Sequence, residues 1–301
     1  MGRRVLITGA SGRLGRQLVA YAPAGVEVLA PSRSELDLLD FSAVGAYLGS
    51  MKPETVIHAA ALVGGIDQVQ ARASEFFEVN LRIQANLIEA AKNHRVGQFC
   101  FVASSGCYPA GCPSPQREDQ LWDGPPDVSL RPYAMAKRAG IEHCATIRRE
   151  LGLDYFSVLP PNLIGPGREG QPATGVVPML IERFLASMPD REVVVWGTGR
   201  ARREMMDVRD AARAIWHLVG IDAVDRMPWT NLGLGESLSI AEVAATIQRV
   251  VGHTGPITFD PTKPEGVLDK CNDCTILLDS GWRPEFTFED SVRSILAQRN
   301  V

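Results

Sequence analysis

The 301-residue sequence predicts an α/β fold, a doubly wound parallel sheet with helices on both faces and a smaller C-terminal substrate-binding region. Three observations carry that prediction. Short β-branched and aliphatic runs alternate with helix-like segments, as successive βαβ units require. The first run leads straight into a glycine-rich turn, Gly9-Ala10-Ser11-Gly12-Arg13-Leu14-Gly15, that opens a helix. Further along, Ser104-Ser105 closes the fourth run, and Tyr133 and Lys137 share the helix-like segment that follows.

In chain order, Val5-Leu6-Ile7 reads as a buried strand, with a helix from Arg16 to Tyr21 beyond the glycine turn. In such Rossmann units glycines let the backbone turn tightly and approach a pyrophosphate, which the helix N-terminus stabilises. An ordinary glycine-rich connection is the plain alternative, and the place directly after the first strand favours the dinucleotide. A second strand, Glu27 to Ala30, should end beside the adenosine ribose, where NAD sites usually offer an Asp or Glu. Here Pro31-Ser32-Arg33 follows it, and the turn itself carries Arg13. Two cations without a carboxylate suit a 2′-phosphate, so NADPH is expected over NAD unless Glu35 or Asp37 reaches back. Thr55 to His58 forms a third strand ending in Ala59, Ala60 and Ala61, small enough for a flat cofactor to lie close. His58 is expected to be packed rather than catalytic.

Glu78 to Asn93 has helical apolar spacing, and Phe99 to Ala103 is a fourth buried strand. It delivers Ser104 and Ser105 to its C-terminal end, outside which open parallel sheets bind ligands. A turn or helix cap is the alternative role for either serine. The segment from Pro109 to Pro132 is long for a plain connection, and such loops are functional or disordered. Tyr133 and Lys137 then lie one helical turn apart on one face. An ammonium beside a phenol favours the phenolate, so the pKa of Tyr133 is expected to fall from ~10 towards neutrality. That suits proton exchange with a carbonyl or alcohol. A surface helix with this spacing is the bland reading.

Tyr155 to Leu159 is a fifth strand, closing on Pro160-Pro161-Asn162-Leu163. Loops and short amphipathic pieces follow. The expected division is a dinucleotide-binding domain over 1–163, rejoined by 205–232, and a substrate region over 164–204 and 233–301. That region holds Arg183, Trp196, Arg203 and Glu204. Arginines facing a cleft suit phosphate oxygens, and an indole stacks on a base or sugar; surface pairing or packing serves equally well.

A net charge of −4 with no long basic run argues against a nucleic-acid surface. No apolar stretch approaches the ~20 residues of a membrane span, and the early strand leaves no room for a signal peptide. Cys100, Cys107, Cys112, Cys144, Cys271 and Cys274 show no disulfide spacing, and the single CxxC has no histidine nearby. Free thiols in a reducing cytoplasm are expected. A dinucleotide-sensing protein without catalysis is the reading of another class, and the intact Ser104, Tyr133 and Lys137 oppose it.

Gly-x-x-Gly-x-x-Gly, a strand-end serine and Tyr-x-x-x-Lys together resemble an extended short-chain dehydrogenase/reductase. Finer matches resemble the GDP-L-fucose synthase family (GDP-4-keto-6-deoxymannose epimerase/reductases) over nearly the whole chain. They are Ser32–Asp40, His58–Ile66, Pro132–Gly140, Pro160–Pro166, Val195–Gly199, Arg203-Glu204, Phe259–Gly266 and Gly281-Trp282. The resemblance implies that Tyr133 protonates the C4 oxygen as NADPH delivers hydride to a C4 ketone. Lys137 lowers the tyrosine's pKa and binds the nicotinamide ribose, and Ser104 orients the ketone. Gly9, Gly12, Arg13, Leu14, Gly15, Arg33, Asn162 and Leu163 are implied NADP contacts, to which Ser11, Ala59, Ala60, Ala61 and Pro160 are added by position. Arg183, Trp196, Arg203 and Glu265 are implied contacts of a nucleotide-diphospho-sugar, GDP-linked in this family, with Ser105 and Asn162 beside them. A homodimer is implied, through the Tyr133 helix and the one starting near Glu78, with Arg82, Ile83, Leu87 and Ile141 as candidates for the seam, packing on the sheet being their alternative role.

Two departures stand out. The family's epimerisation at C3 and C5 uses a cysteine two residues after the serine and a histidine three residues before the Pro178 position. Here these are Gly106 and Gly175. Carbon-acid chemistry needs a base and an acid, and glycine supplies neither; Cys107, one residue late, points the other way if the segment is extended. The expectation is 4-keto reduction of a hexose or heptose without epimerisation. An intact epimerase/reductase and a nucleotide-sugar epimerase that recycles its nicotinamide are the alternatives.

Overall fold

The structure, a computed structural model, describes residues 2–167, 175–222, 227–263 and 266–299. The glycine turn joins β1 (Arg3–Thr8) to α1 (Arg13–Ala20), followed by β2 (Val26–Leu29), α2 (Phe41–Met51), β3 (Thr55–His58), α3 (Ile66–Ala71) and α4 (Ala73–Asn93). Next come β4 (Gln98–Val102), α5 (Arg131–Leu151), β5 (Asp154–Leu159), β6 (Asn162–Ile164), α6 (Val176–Ala186), β7 (Val193–Trp196), β8 (Arg202–Arg203) and β9 (Met205–Asp207). The remainder is α7 (Val208–Gly220), β10 (Trp229–Asn231), β11 (Leu238–Ser239), α8 (Ile240–Val251), β12 (Ile257–Asp260), β13 (Asp269–Lys270), α9 (Thr275–Asp279) and α10 (Phe288–Gln298).

Six parallel strands form the main sheet in the order β10-β5-β4-β3-β1-β2. From β1 the chain steps outward to β2, then crosses back to β3 and builds in the other direction. The reversal opens a crevice at the C-terminal ends of β1 and β3, the usual ligand position in such sheets. β3 and β4 are buried along their whole length, which is why Val56-Ile57 and Phe99–Val102 read as apolar runs rather than alternating ones, with the polar Thr55, His58 and Gln98 only at the strand ends. Two cores flank the sheet. Val44, Leu48, Leu87 and Ile141 from α2, α4 and α5 cover one face. Leu18, Ala211, Ile215 and Trp216 from α1 and α7 cover the other.

Three small sheets lie beyond β5: β11-β8-β13, β12-β7 and β6-β9. Ile181, Phe184, Val195 and Ile247 belong to a third core beneath them. Pro132 in the first turn of α5 and Gly152, left-handed at φ +67° just past its end, set the limits of the helix that carries Tyr133.

Of the two roles open to the seam candidates, packing within the chain holds for three. Ile83, Leu87 and Ile141 are buried within the chain itself, 8%, 0% and 0% exposed, because the apolar stripes of α4 and α5 turn inward. Arg82 alone faces outward, with Glu78 at 3.6 Å. The long segment after Pro109 is not a free loop. Gln116 N–H donates to Cys271 O (2.8 Å), Asp273 N–H donates to Gln116 O (2.9 Å), and Pro109 bridges Pro126. The buried Arg138 guanidinium of α5 donates to the carbonyls of Cys107, Leu121 and Gly124. Among the described residues no helix is long and apolar enough to cross a membrane.

Candidate active site

At the end of β1 the chain meets the end of β3 at close quarters. Gly9 is left-handed at φ +73°, and a Cβ there would sit 2.7 Å from the Ala60 backbone. A Cβ on Gly15 would lie 2.0 Å from Gly9 O, so α1 rests directly on the turn. α1 starts at Gly12 with no side-chain cap and no acidic residue in its first turn, leaving its N–H groups directed at the crevice. Arg13 donates to Leu163 O at 3.0 Å, while its Nε is buried without a partner. Burial, and Arg16 nearby, lower the Arg13 pKa.

A cleft of about 500 Å³ opens here. Gly9, Ser11, Gly12, Arg13, Leu14, Gly15, Ala59, Ala61, Pro160, Asn162 and Leu163 line one side of it, and Ser104, Tyr133 and Lys137 close the end. Ala60 packs behind Gly9. Arg33 is exposed beyond β2, outside the lining. Glu35 does not reach back from its turn, because its carboxylate accepts both the N–H and the hydroxyl of Ser32 at 2.7 Å.

Ser104 Oγ accepts the Gly106 N–H at 3.0 Å and so caps a short 3-10 turn, Ser105–Cys107. Lys137 Nζ donates to Val102 O at 2.8 Å and lies 4.7 Å from the Phe101 ring centroid and 6.0 Å from that of Tyr133. The expected depression of the Tyr133 pKa does not arise in this geometry. Burial dominates both groups, raising the phenol and lowering the ammonium to about 8. His58 is fully buried, with Nδ1 on Thr8 Oγ1 at 2.7 Å and its ring stacked on Phe101, which makes it a packing residue.

Ser105 is buried behind Ser104 and outside the cleft lining, so it is not placed to meet a substrate there. Arg183 and Trp196 come together away from the cleft wall, guanidinium to ring centroid 5.7 Å, with Lys263 Nζ at 5.9 Å from the same ring. Lys263 was absent from the sequence-based candidates, since a lone lysine in a loop carries no periodic signal. Arg203 sits on β8, donating to Arg202 O at 2.7 Å and Val267 O at 2.5 Å. Glu265 lies outside the described residues.

The two departures face different surroundings. Gly175 lines the cleft at the start of α6, left-handed at φ +90°, with nothing within 4 Å of a Cβ placed on it. A Cβ on Gly106 would meet Ser104 Oγ at 3.2 Å. Cys107 turns away, buried against Ala134 O at 3.6 Å, and burial pushes its thiol up to about 11. It points away because the segment coils into a 3-10 turn, not because it is extended.

A glycine turn open to a dinucleotide and a serine, tyrosine and lysine on one cleft are the features of the extended short-chain dehydrogenase/reductases. The chain belongs to the NAD dependent epimerase/dehydratase family, matched over residues 5–227. It is 36% identical over 306 residues to GDP-L-fucose synthase of Escherichia coli (strain K12), covering 97% of this chain and 95% of that one. Among solved structures it is similar to a GDP-6-OMe-4-keto-L-xylo-heptose reductase from C. jejuni, with a TM-score of 0.91 and 26% identity over 99% of this chain and 98% of that one. It is also similar to a GDP-mannoheptose C4 reductase from Campylobacter jejuni with NADP bound, with a TM-score of 0.88 and 27% identity over 100% and 99%.

Proposed function

We propose that the chain is an NADPH-dependent reductase of the C4 ketone of a GDP-linked 4-keto-sugar, hexose or heptose, acting without epimerisation at C3 or C5. One observation carries the reading: a cleft unites the glycine turn with Ser104, Tyr133, Lys137 and Gly175, and glycine also stands at 106, next to the Ser104 hydroxyl.

The residues fit the dinucleotide. The turn leaves no room for a side chain at Gly9 or Gly15, so its backbone can approach a pyrophosphate, and Arg13 lines the same cleft. When bound, NADPH supplies hydride to the ketone carbon. Ser104 Oγ already accepts the Gly106 N–H, so its own O–H is available to donate to the ketone oxygen. Burial keeps the Tyr133 phenol protonated at neutral pH, the state a proton donor to the forming alkoxide requires. Lys137 holds a positive charge behind that phenol, anchored on Val102 O. Arg183, Trp196 and Arg203, with Glu265, are read as the nucleotide end of the site. Residues 1–163 and 205–232 form the cofactor platform in this reading, the enzyme works as a homodimer, and its six free cysteines suit the cytoplasm.

The test is NMR of the product formed from GDP-4-keto-6-deoxymannose and NADPH by the purified protein in D₂O. Reduction at C4 without deuterium at C3 or C5 is the expected outcome. Deuterium at either carbon would sink the claim that epimerisation is absent. If no turnover occurs, the heptose analogue is tried next, and failure on both overturns the reading.

A further inference from the structure

Glu204 is one residue wide between two small sheets. It follows β8, which carries Arg203 in the β11-β8-β13 sheet, and precedes β9, whose Met205 pairs with Asn162 of β6. The residue is 1% exposed, yet it carries a carboxylate. Oε1 accepts the N–H groups of Leu234 (2.6 Å) and Gly235 (3.0 Å), and Oε2 accepts that of Asn272 (2.8 Å). Cys274 Sγ lies 3.8 Å from Oε1. The backbone of Glu204 is held as well: its carbonyl accepts Asn162 Nδ2 at 3.1 Å, and its N–H donates to Lys270 O at 3.2 Å.

One residue therefore joins the cleft-lining Asn162, the Arg203 strand, the turn after β10 and the segment after β13. A carboxylate suits this pocket better than an amide, because three N–H donors converge on it and an amide would turn its own N–H against one of them, although burial raises the Glu204 pKa to about 7. Gly233 is shaped to the same group, since a Cβ there would lie 2.2 Å from Glu204 Oε1. We infer that Glu204 is a positioning residue that fixes Arg203 relative to Asn162, and thereby sets the affinity for the nucleotide diphosphate of the substrate. This rests on the proposed function. Glu204 touches neither substrate nor cofactor in it.

The test is calorimetric titration of GDP, and of UDP in parallel, into NADP-loaded protein, with the NADP affinity measured separately. Glu204→Gln is expected to weaken GDP binding on the order of tenfold, the scale of one lost charge-assisted hydrogen bond, while the NADP affinity stays unchanged. Gly233→Ala, which crowds the carboxylate without removing it, is expected to do the same. In an Arg203→Ala background Glu204→Gln should add nothing. Unchanged GDP affinity in both variants, equal loss of GDP and NADP affinity, or additivity with Arg203→Ala overturns the inference. A Glu204→Gln protein that unfolds, with Gly233→Ala leaving GDP binding intact, overturns it too. Wild-type protein that binds neither nucleotide overturns the functional reading and this inference together, whereas wild-type binding with unaffected variants overturns the inference alone.

Discussion

Two pairs of glycines stand at the cleft or next to a residue that lines it, and they are glycine for different reasons. At Gly9 and Gly15 the backbone of a neighbouring segment occupies the place of a side chain, with 2.7 Å and 2.0 Å left for a Cβ. At Gly106 and Gly175 it does not: the nearest atom to a Cβ is Ser104 Oγ at 3.2 Å in one, and nothing lies within 4 Å in the other. Packing dictates the first pair. In the proposed reading the second pair marks missing functional groups, although the φ of +90° at Gly175 still disfavours a side chain. A glycine beside a cleft therefore carries opposite meanings, which only the atoms around it separate.

The sharpest test of this contrast is at the chemical end. Tyr133→Phe should lower kcat by about 10²–10⁴, the usual worth of a positioned proton donor, with NADPH affinity retained; stopped-flow NADPH oxidation and fluorescence titration measure the two. At the phosphate end, Gly15→Ala should destabilise the fold by about 1–3 kcal/mol as α1 is forced off the turn, and weaken NADPH binding. Thermal melts with and without cofactor read both effects, and an unaffected melt would break the packing argument.

Lys137 supplies a pH test. Burial lowers its folded pKa from the ordinary lysine value of ~10.4 to about 8, so the ammonium is lost as pH rises through about 8. Reductase kcat/KM should fall above that point, approaching tenfold per pH unit. Between the two values the unfolded chain binds more protons, so this group adds stability as pH rises. Activity should therefore fall without an earlier melt. A profile flat to pH 10 would deny Lys137 its role. The smallest effect is expected from Gly106→Cys, within about 1 kcal/mol of wild type on melting. It should add no deuterium at C3 or C5 in D₂O, because position 175 still lacks a partner acid or base; exchange in that single variant would show another residue already in place.

Much of this was legible in the sequence. The apolar runs named five of the six main strands, since buried parallel strands leave an unbroken hydrophobic signature, and the glycine turn and Tyr-x-x-x-Lys gave the cleft its two ends. β10, three residues at Trp229–Asn231, was too short to announce itself. For Ile83, Leu87 and Ile141 the sequence left two roles open, because helical spacing shows that a helix has an apolar face but not which neighbour covers it, and the structure buries them within the chain.

The sequence alone determined the fold class, the order of the main strands' elements and the chemical groups at the cleft, because periodicity and motif spacing are local properties. Tertiary structure decided how those groups behave. Lys137 and Tyr133 are neighbours in any helix, but burial, not proximity, governs their protonation, and burial comes from segments far away in the chain. The same holds for Glu204, an ordinary acidic residue in sequence, whose place between two sheets is made by Asn162, Leu234 and Asn272 arriving from three directions.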